Sequence, residues 1–521
     1  MTKWRKFTFR GILLIFMILL AGLSACNLPS AQVSHATQTA LSARQTLYAN
    51  LFPNTPAVTP TQLLTFPETP SNPTPTLPNQ TETTFPADRL RYYSQSGDTQ
   101  AIIAAHFGVN PEDIRSASSL PFTNLLPVGT LFSIPDALEE ETPYSQAALP
   151  DSEVIYAPGA KGFDLPAYAD EAGGYLTEYS ETIDEIAYSG PEIVNMVALE
   201  TSTNPRLLLA FLDFRSNWVT GNPPNAANNP YPIGYNSDDK GLYDELMITA
   251  RLLAEGYYGW RTGTLTSLTP VDGDSFRISP TLNAGSVALQ RLFTSLYKGT
   301  SWEAALHGQN GFLKFYTDTF GDAWARAETV EPLLNEGVQQ PELALPFLPG
   351  LRWSFTAGSH AAWQTGTPRA ALDFAPVTGD PPCAVSTEWT TAAVPGLVVR
   401  SLRGTLALDL DNDGDEGTGW VLVYMHVAEE GRAALGTQLP LDGLVGHPSC
   451  ERGNATGSHV HFTRKYNGEW IPTDGSLPLI LDGWQAFAGE GKYEGTLVRA
   501  YQTVTASSYG KTGSSIYRDD Y

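Results

Sequence analysis

Apolar positions divide the chain into stretches of different period. Between about residues 191 and 339 they recur at helical spacing: Leu207, Leu208, Phe211 and Phe214 after the helix-starting pair Asn204-Pro205, then Tyr243, Leu246, Ala250, Leu253 and Tyr257, then Val287, Ala288, Leu292 and Leu296. Further on, runs such as Leu397 to Arg400 and Trp420 to Tyr424 alternate with glycine turns, the pattern of an all-β region. Near Tyr92 the order is different again. A short strand turns at Gly97-Asp98, Asp98 or Thr99 caps a helix with Ile102 and Ile103 inward, and a second helix precedes a closing strand through Leu131. From Pro53 to Pro86 there is almost no apolar periodicity. Nine prolines and ten threonines there cannot bury enough surface to offset ordering entropy, which predicts an extended tether. The fold class is multidomain: a small α+β module, a mostly α middle domain and an all-β C-terminal domain.

Charge and the N-terminus add an address. Lys plus Arg number 31 against 55 Asp plus Glu, a formal net charge of -24 over 521 residues. A surface so acidic repels polyphosphate, which argues against nucleic-acid binding and against a basic patch on anionic lipid, and leaves room for bound cations. Lys3, Arg5, Lys6 and Arg10 precede the apolar run Gly11 to Gly22, which suits a signal-peptide core and is too short to span a bilayer. The run ends in Leu23-Ser24-Ala25-Cys26, which resembles the bacterial lipobox. That resemblance implies acylation of Cys26 and a lipid anchor holding the exported chain to a membrane of the cell envelope. Cys383 and Cys450 remain, and an even pair in an oxidising compartment predicts a disulfide.

The domain boundaries that follow are 1–25 for the signal peptide, 26–88 for the lipidated tether and 89–136 for the small module. An acidic connector takes 137–180, the helical accessory domain 181–342, the β-domain 343–481 and a motif-free extension 482–521. Tyr92-Tyr93-Ser94-Gln95-Ser96-Gly97-Asp98-Thr99, Phe107-Gly108-Val109 and Leu126-Pro127-Val128-Gly129-Thr130-Leu131 together resemble LysM, whose members bind N-acetylglucosamine-containing glycans such as peptidoglycan. Ser118-Ser119-Leu120 departs from the Asn-x-Leu often found there. In the helical part, Asn204 to Ala210 followed by Ser216-Asn217-Trp218 resembles the catalytic helix of lysozyme-like transglycosylases. Those enzymes place a protonated Glu where this chain has Arg215, which cannot act as a general acid, and Asp213 falls on the opposite helix face. A helical accessory domain is therefore expected.

Five of the eight histidines, His360, His426, His447, His459 and His461, lie in the β-domain. In Thr456-Gly457-Ser458-His459-Val460-His461-Phe462 two imidazoles share one face of a strand, an arrangement suited to zinc. With Val423-Tyr424-Met425-His426, Leu372-Asp373-Phe374-Ala375-Pro376 and Trp470-Ile471-Pro472, this segment resembles the lysostaphin-like (β-lytic) zinc metallopeptidases over about Leu345 to Leu481. The resemblance implies Asp373 and His461 as zinc ligands, His459 and His426 as catalytic groups beside the reacting water, and peptidoglycan peptides as substrate. The family's first ligand is a His four residues before the Asp, and here that position is Arg369. His360, thirteen residues before Asp373, is the expected third ligand, returned to the site by an inserted loop.

Asp409-x-Asp411-x-Asp413-Gly414-Asp415 has the first half of an EF-hand loop, but Trp420 stands at the twelfth position. It is either a calcium turn or a solvated acidic turn. His447 reads as a loop residue. Together these features describe an exported, lipid-anchored zinc metalloendopeptidase that LysM directs to peptidoglycan. The alternative is a catalytically inactive wall-binding scaffold or activator of another hydrolase.

Overall fold

The computed structural model describes residues 88–116, 124–138, 142–235 and 237–519. The signal segment, Cys26, the Pro/Thr-rich tether and Ser118 to Leu120 lie outside the described residues. Among the described residues no helix is long and apolar enough to cross a membrane.

The first module is a three-stranded antiparallel sheet in which Leu131–Pro135 lies between Arg89–Tyr93 and Arg115–Ser116. Its helix, Gln100–Phe107, starts at Thr99, whose side chain accepts from the Ile102 N–H, and stops at Gly108 in the left-handed conformation. Ile103, Ala104 and Phe107 pack with Tyr92, Phe132 and Ile134. Thr99 is therefore the cap, and Asp98 is instead buried, its carboxylate accepting from the Tyr92 hydroxyl at 2.7 Å. In place of a second helix the described residues hold one 3-10 turn, Pro111–Asp113, because Ile114 leaves it in an extended conformation.

The middle of the chain folds as its apolar period requires, into helices at Gly190–Thr201, Pro205–Ser216, Leu242–Arg261 and Ala284–Thr294. A capping box between Ser189 and Glu192 opens the first. Gly256 lets the long helix approach its neighbour, since a Cβ there would lie 2.7 Å from Ala288 Cα. Residues 148–180, expected as a connector, are instead part of this unit. Leu149, Val154, Ile155, Leu165, Ala169 and Leu176 are buried in its core, and Leu165–Ala172 is a helix. Acidic residues there turn inward and are answered: Asp151 and Glu153 pair with Arg261 and Arg326. Arg215 donates to the Ile233 carbonyl, and Asp213 accepts three hydrogen bonds from Val219 and Thr220, so both serve the local turn.

The C-terminal domain is built on a main antiparallel sheet. Its order runs from Gln438–Leu439 through Gly396–Leu402, Thr405–Asp409, Trp420–Met425, Val460–Tyr466, Arg369–Pro376 and Arg352–Ala361 to Ser515–Tyr517. Leu372, Phe374, Leu406, Leu422, Tyr424, Val460 and Phe462 form a core on one face. From the other, Ala407, Val421, Val423 and Met425 join the core of the helical unit, so helices and sheet share one hydrophobic interior. The domain also passes the expected boundary at residue 481. A second sheet, Ile480–Leu481, Trp484–Ala488, Gly495–Arg499 and Gln502–Thr505, follows, and Ser515–Tyr517 closes the main sheet's edge.

Buried charge fastens the acidic turn to the sheet. Arg400 Nε lies 2.6 Å and Lys465 Nζ 3.0 Å from the Glu416 carboxylate. Burial alone would raise the pKa of Glu416, but the two cations overcome it and hold the group at about 2, against an ordinary 4.5. A depressed carboxylate stabilises the fold above its unfolded pKa and loses that contribution as pH falls from about 4.5 toward 2. The shift corresponds to about 3 kcal/mol at pH 7. Urea denaturation should find Glu416→Gln less stable by about that amount at pH 7, and the gap should shrink to under about half by pH 3. An equal gap at both pH values would contradict the assignment.

Candidate metal centre

Strand register brings the ligands together. His461 lies directly opposite Asp373 on one side and Met425 on the other, which places His461 and Asp373 on one face and puts His426 at the end of the neighbouring strand. His360 reaches the same face through a bulge. Ala357 pairs with Asp373 and His360 with Ala371, three steps along one strand against two along the other, so the extra residue restores the side-chain direction that an odd step reverses. Gly358 sits in this bulge against the backbone of Glu494, whose carbonyl carbon would lie 2.4 Å from an added Cβ.

Every imidazole of the cluster has one nitrogen committed to a backbone carbonyl. His360 Nδ1 lies 2.8 Å from the Gly358 oxygen, His461 Nε2 2.9 Å from that of Ala362, His459 Nδ1 2.7 Å from that of Gly457 and His426 Nδ1 3.0 Å from that of Glu451. A carbonyl oxygen only accepts, so each of these nitrogens carries the hydrogen and the opposite nitrogen of each neutral ring is left with a lone pair. His360 Nε2 and His461 Nδ1 are 2.9 Å apart, and Asp373 Oδ1 lies 3.2 and 3.3 Å from them. That oxygen is buried and has no hydrogen-bond partner. Two lone pairs and an orphaned carboxylate oxygen, all within 4.8 Å of one another, fit a divalent cation held by His360, Asp373 and His461.

Titration follows from the same geometry. Burial pushes His360 down, but the Asp373 carboxylate outweighs it and raises the net pKa, while Asp373, despite complete burial, is held well below the usual carboxylate range by His360, His461 and His459. Burial lowers His461. A proton and a metal ion therefore compete for the same lone pairs. His426 is pushed down to about 4 by burial and by neighbouring His459 and His461, and so is neutral near pH 7. Its backbone is left-handed, with φ 60°, a strained conformation fixed by Ser449, whose N–H and hydroxyl both donate to the His426 carbonyl. His426 and His459 rings lie 4.5 Å apart, and His459 Nε2 is 3.5 Å from Asp373 Oδ2.

Of the other residues singled out, Cys383 and Cys450 form the expected disulfide, with Cα atoms 5.1 Å apart. Asp409, Asp411 and Asp413 converge, whereas Asp415 turns to the Gly417 N–H. The loop answers its own charge: Asp409 accepts from the Asp411 and Gly414 N–H groups, and Lys161 Nζ lies 2.6 Å from Asp413. His447 packs on Trp389, outside the cluster. Two residues to which the sequence assigned no role border the site. Tyr493, on the loop Gly489 to Gly495 of the extension, stacks on His360 with ring centroids 4.8 Å apart and is 58% exposed. Arg369, standing where the family's first ligand would be, donates to the Ser359 and Gly491 carbonyls and so ties the His360 bulge to the Tyr493 loop. The helical unit reaches the rim, where Arg452 pairs with Glu200 beside the His426 neighbour Gly453.

Comparison with known proteins finds relatives among metallopeptidases. Residues 147–333 match the LasA N-terminal domain family. Over 355 residues the chain is 26% identical to Protease LasA of Pseudomonas aeruginosa, an alignment that spans 63% of this chain and 76% of that protein. The likeness is to LasA-like, lysostaphin-type metallopeptidases. Among solved structures, the deep-sea metalloprotease pseudoalterin is 22% identical, with a TM-score of 0.27, over 32% of this chain and 96% of its own. The catalytic domain of the antimicrobial peptidase lysostaphin from Staphylococcus simulans is 19% identical, with a TM-score of 0.18, over 24% of this chain and 89% of its own. The LasA match begins within the stretch first read as a connector, as the buried residues there require.

If Arg369 braces the centre without binding metal, Arg369→Ala should leave one metal per chain but weaken affinity about 10- to 100-fold in a competition titration against a chromophoric chelator. Affinity within about twofold of the parent would contradict a bracing role.

Proposed function

We propose that the chain is an exported zinc metalloendopeptidase that hydrolyses peptide bonds of peptidoglycan, held to the envelope by a lipid on Cys26, with a LysM-type module that binds the wall's glycan. The observation that carries the reading is the pair of imidazole lone pairs, on His360 and His461, that converge with the orphaned Asp373 oxygen beside His426 and His459. The donor set of two nitrogens and one carboxylate oxygen is the kind that catalytic zinc sites use, with a fourth position left for water or substrate. A zinc ion held there supplies Lewis-acid activation of water and of the scissile carbonyl.

The remaining work falls to the chain's own residues. His426 and His459 each have Nδ1 held by a backbone carbonyl, which leaves Nε2 on the opposite side of each ring. One, with Nε2 unprotonated, accepts the proton of the attacking water, and the other, with a hydrogen on Nε2, donates to the oxyanion that develops on the substrate carbonyl. The residue that acts as base must be neutral to start the cycle, a state that the low pKa of His426 supports for that residue at neutral pH. No side chain need act as a nucleophile. The acidic surface disfavours nucleic acid as a partner, and attachment of both activities to one polymer would raise the local concentration of substrate.

The test is hydrolysis of purified peptidoglycan, followed by the appearance of new amino groups. His426→Ala should retain metal and lose at least about 100-fold in turnover. Release of peptides by His426→Ala at the parent's rate would overturn the assignment, and no release by the metal-loaded parent on any peptidoglycan type would favour the scaffold alternative.

A further inference from the structure

The first module is not a free appendage of this fold. Its turn and helix are built into the body at three places. Ser96 both accepts from the Leu334 N–H, at 3.0 Å, and lies 3.1 Å from the Leu334 carbonyl as donor, and it is buried. Gly97, with φ +80°, packs on the Arg261 guanidinium so closely that a Cβ would lie 2.6 Å from Nη1. His106 stacks flat on Trp260, ring centroids 3.5 Å apart and planes 7° apart, with Nε2 3.0 Å from the Trp260 carbonyl.

These contacts use groups that pair poorly with anything else. Arg277 donates to the Ala105 and His106 carbonyls, at 2.9 and 2.8 Å, which are the helix's own terminal acceptors. Arg261 is itself locked between Asp151 of the helical unit and Glu469 of the sheet, at 2.9 and 2.7 Å, so the Gly97 turn rests on the residue that joins the other two parts. Where the three meet there is a cavity of about 330 Å³ with walls from Ile102, Leu125, Tyr258 and Trp470. Ser96, Gly97 and His106 of the turn and helix are thus covered by the chain's own body.

We propose that the described residues 88–116 and 124–136 act as an internal clamp: the face from Gln95 to His106 is reserved for the chain's own body, and a wall glycan reaches that face only after the module swings away. The gating part rests on the reading of the module as glycan-binding, whereas the clamp itself does not. Release costs the His106–Trp260 stack, the Ser96–Leu334 pair and the two Arg277 hydrogen bonds, and exposes Arg261 to water while its two carboxylates stay in place. Docking therefore makes glycan capture and the state of the helical unit interdependent.

A cross-link tests it. A Cβ on Gly263 would lie 3.1 Å from that of Ala105, a little under the span of a disulfide, and Gly263 has φ +67°, so the pair Ala105→Cys and Gly263→Cys, in the chain from residue 27 onward, should oxidise without reductant once the backbone there yields by a few tenths of an ångström. The oxidised protein should fail to sediment with purified peptidoglycan sacculi, and mild reduction should restore binding. Arg277→Ala, which removes two contacts and no core side chain, should raise sacculus binding about tenfold over the parent. Failure of the cysteines to cross-link, with the Gly263→Cys single variant as thermally stable as the parent, would overturn docking. Cross-linking with equal binding before and after reduction would overturn the reserved face while leaving the glycan reading intact. Cross-linking with no binding in either state would refute the glycan reading and uphold the clamp.

Discussion

Two imidazole nitrogens 2.9 Å apart, each left with a lone pair because its ring's N–H is spent on a backbone carbonyl, repel unless positive charge lies between them. That constraint organises the C-terminal domain. It explains why Asp373 is buried with an oxygen that no donor reaches, and why the register breaks between the strands that carry His360 and Asp373. It also explains the glycine at 358, where the loop carrying Tyr493 presses against the bulge. Backbone carbonyls set each ring's tautomer, and the sheet fixes the carbonyls, so the arrangement is held ready before any ion arrives.

The sheet is not an independent platform. Val421, Val423 and Met425, on the face that carries His461, belong to the same hydrophobic interior as the helices, and the Glu200–Arg452 pair ties a helix to the loop beside His426. The Arg261 guanidinium gathers Asp151, Glu469 and the Gly97 turn at one buried point. Small module, helices and sheet are therefore packed as one body, and any motion that opens the site must break named polar contacts as well as apolar ones.

Much of this was legible in the sequence. Helical period located the helices that carry Leu207, Tyr243 and Val287, and the H-x-H pair together with Asp373 located the centre. His360 was reached by chemistry, since Arg369 cannot bind zinc and a histidine had to return from elsewhere. The bulge that returns it was not legible, because an extra residue in a strand changes side-chain direction without changing composition. Tyr493 was missed because its link to His360 is entirely tertiary; a tyrosine in the glycine-flanked turn Gly491 to Gly495 was its only trace. The supposed connector misled because buried carboxylates such as Asp151 and Glu153 look like solvated ones until their arginines are found. The expected second helix of the small module appears as a single turn, for Pro111 can start a helix that Ile114 does not continue.

The central claim is that His360, far from the usual ligand position, completes a site for zinc. Its most direct test is elemental mass spectrometry of the chain purified in the presence of zinc, beside His360→Ala. About one zinc per chain in the parent and essentially none in the variant is the result this account predicts. Equal zinc in the two proteins, or none in either, would contradict it.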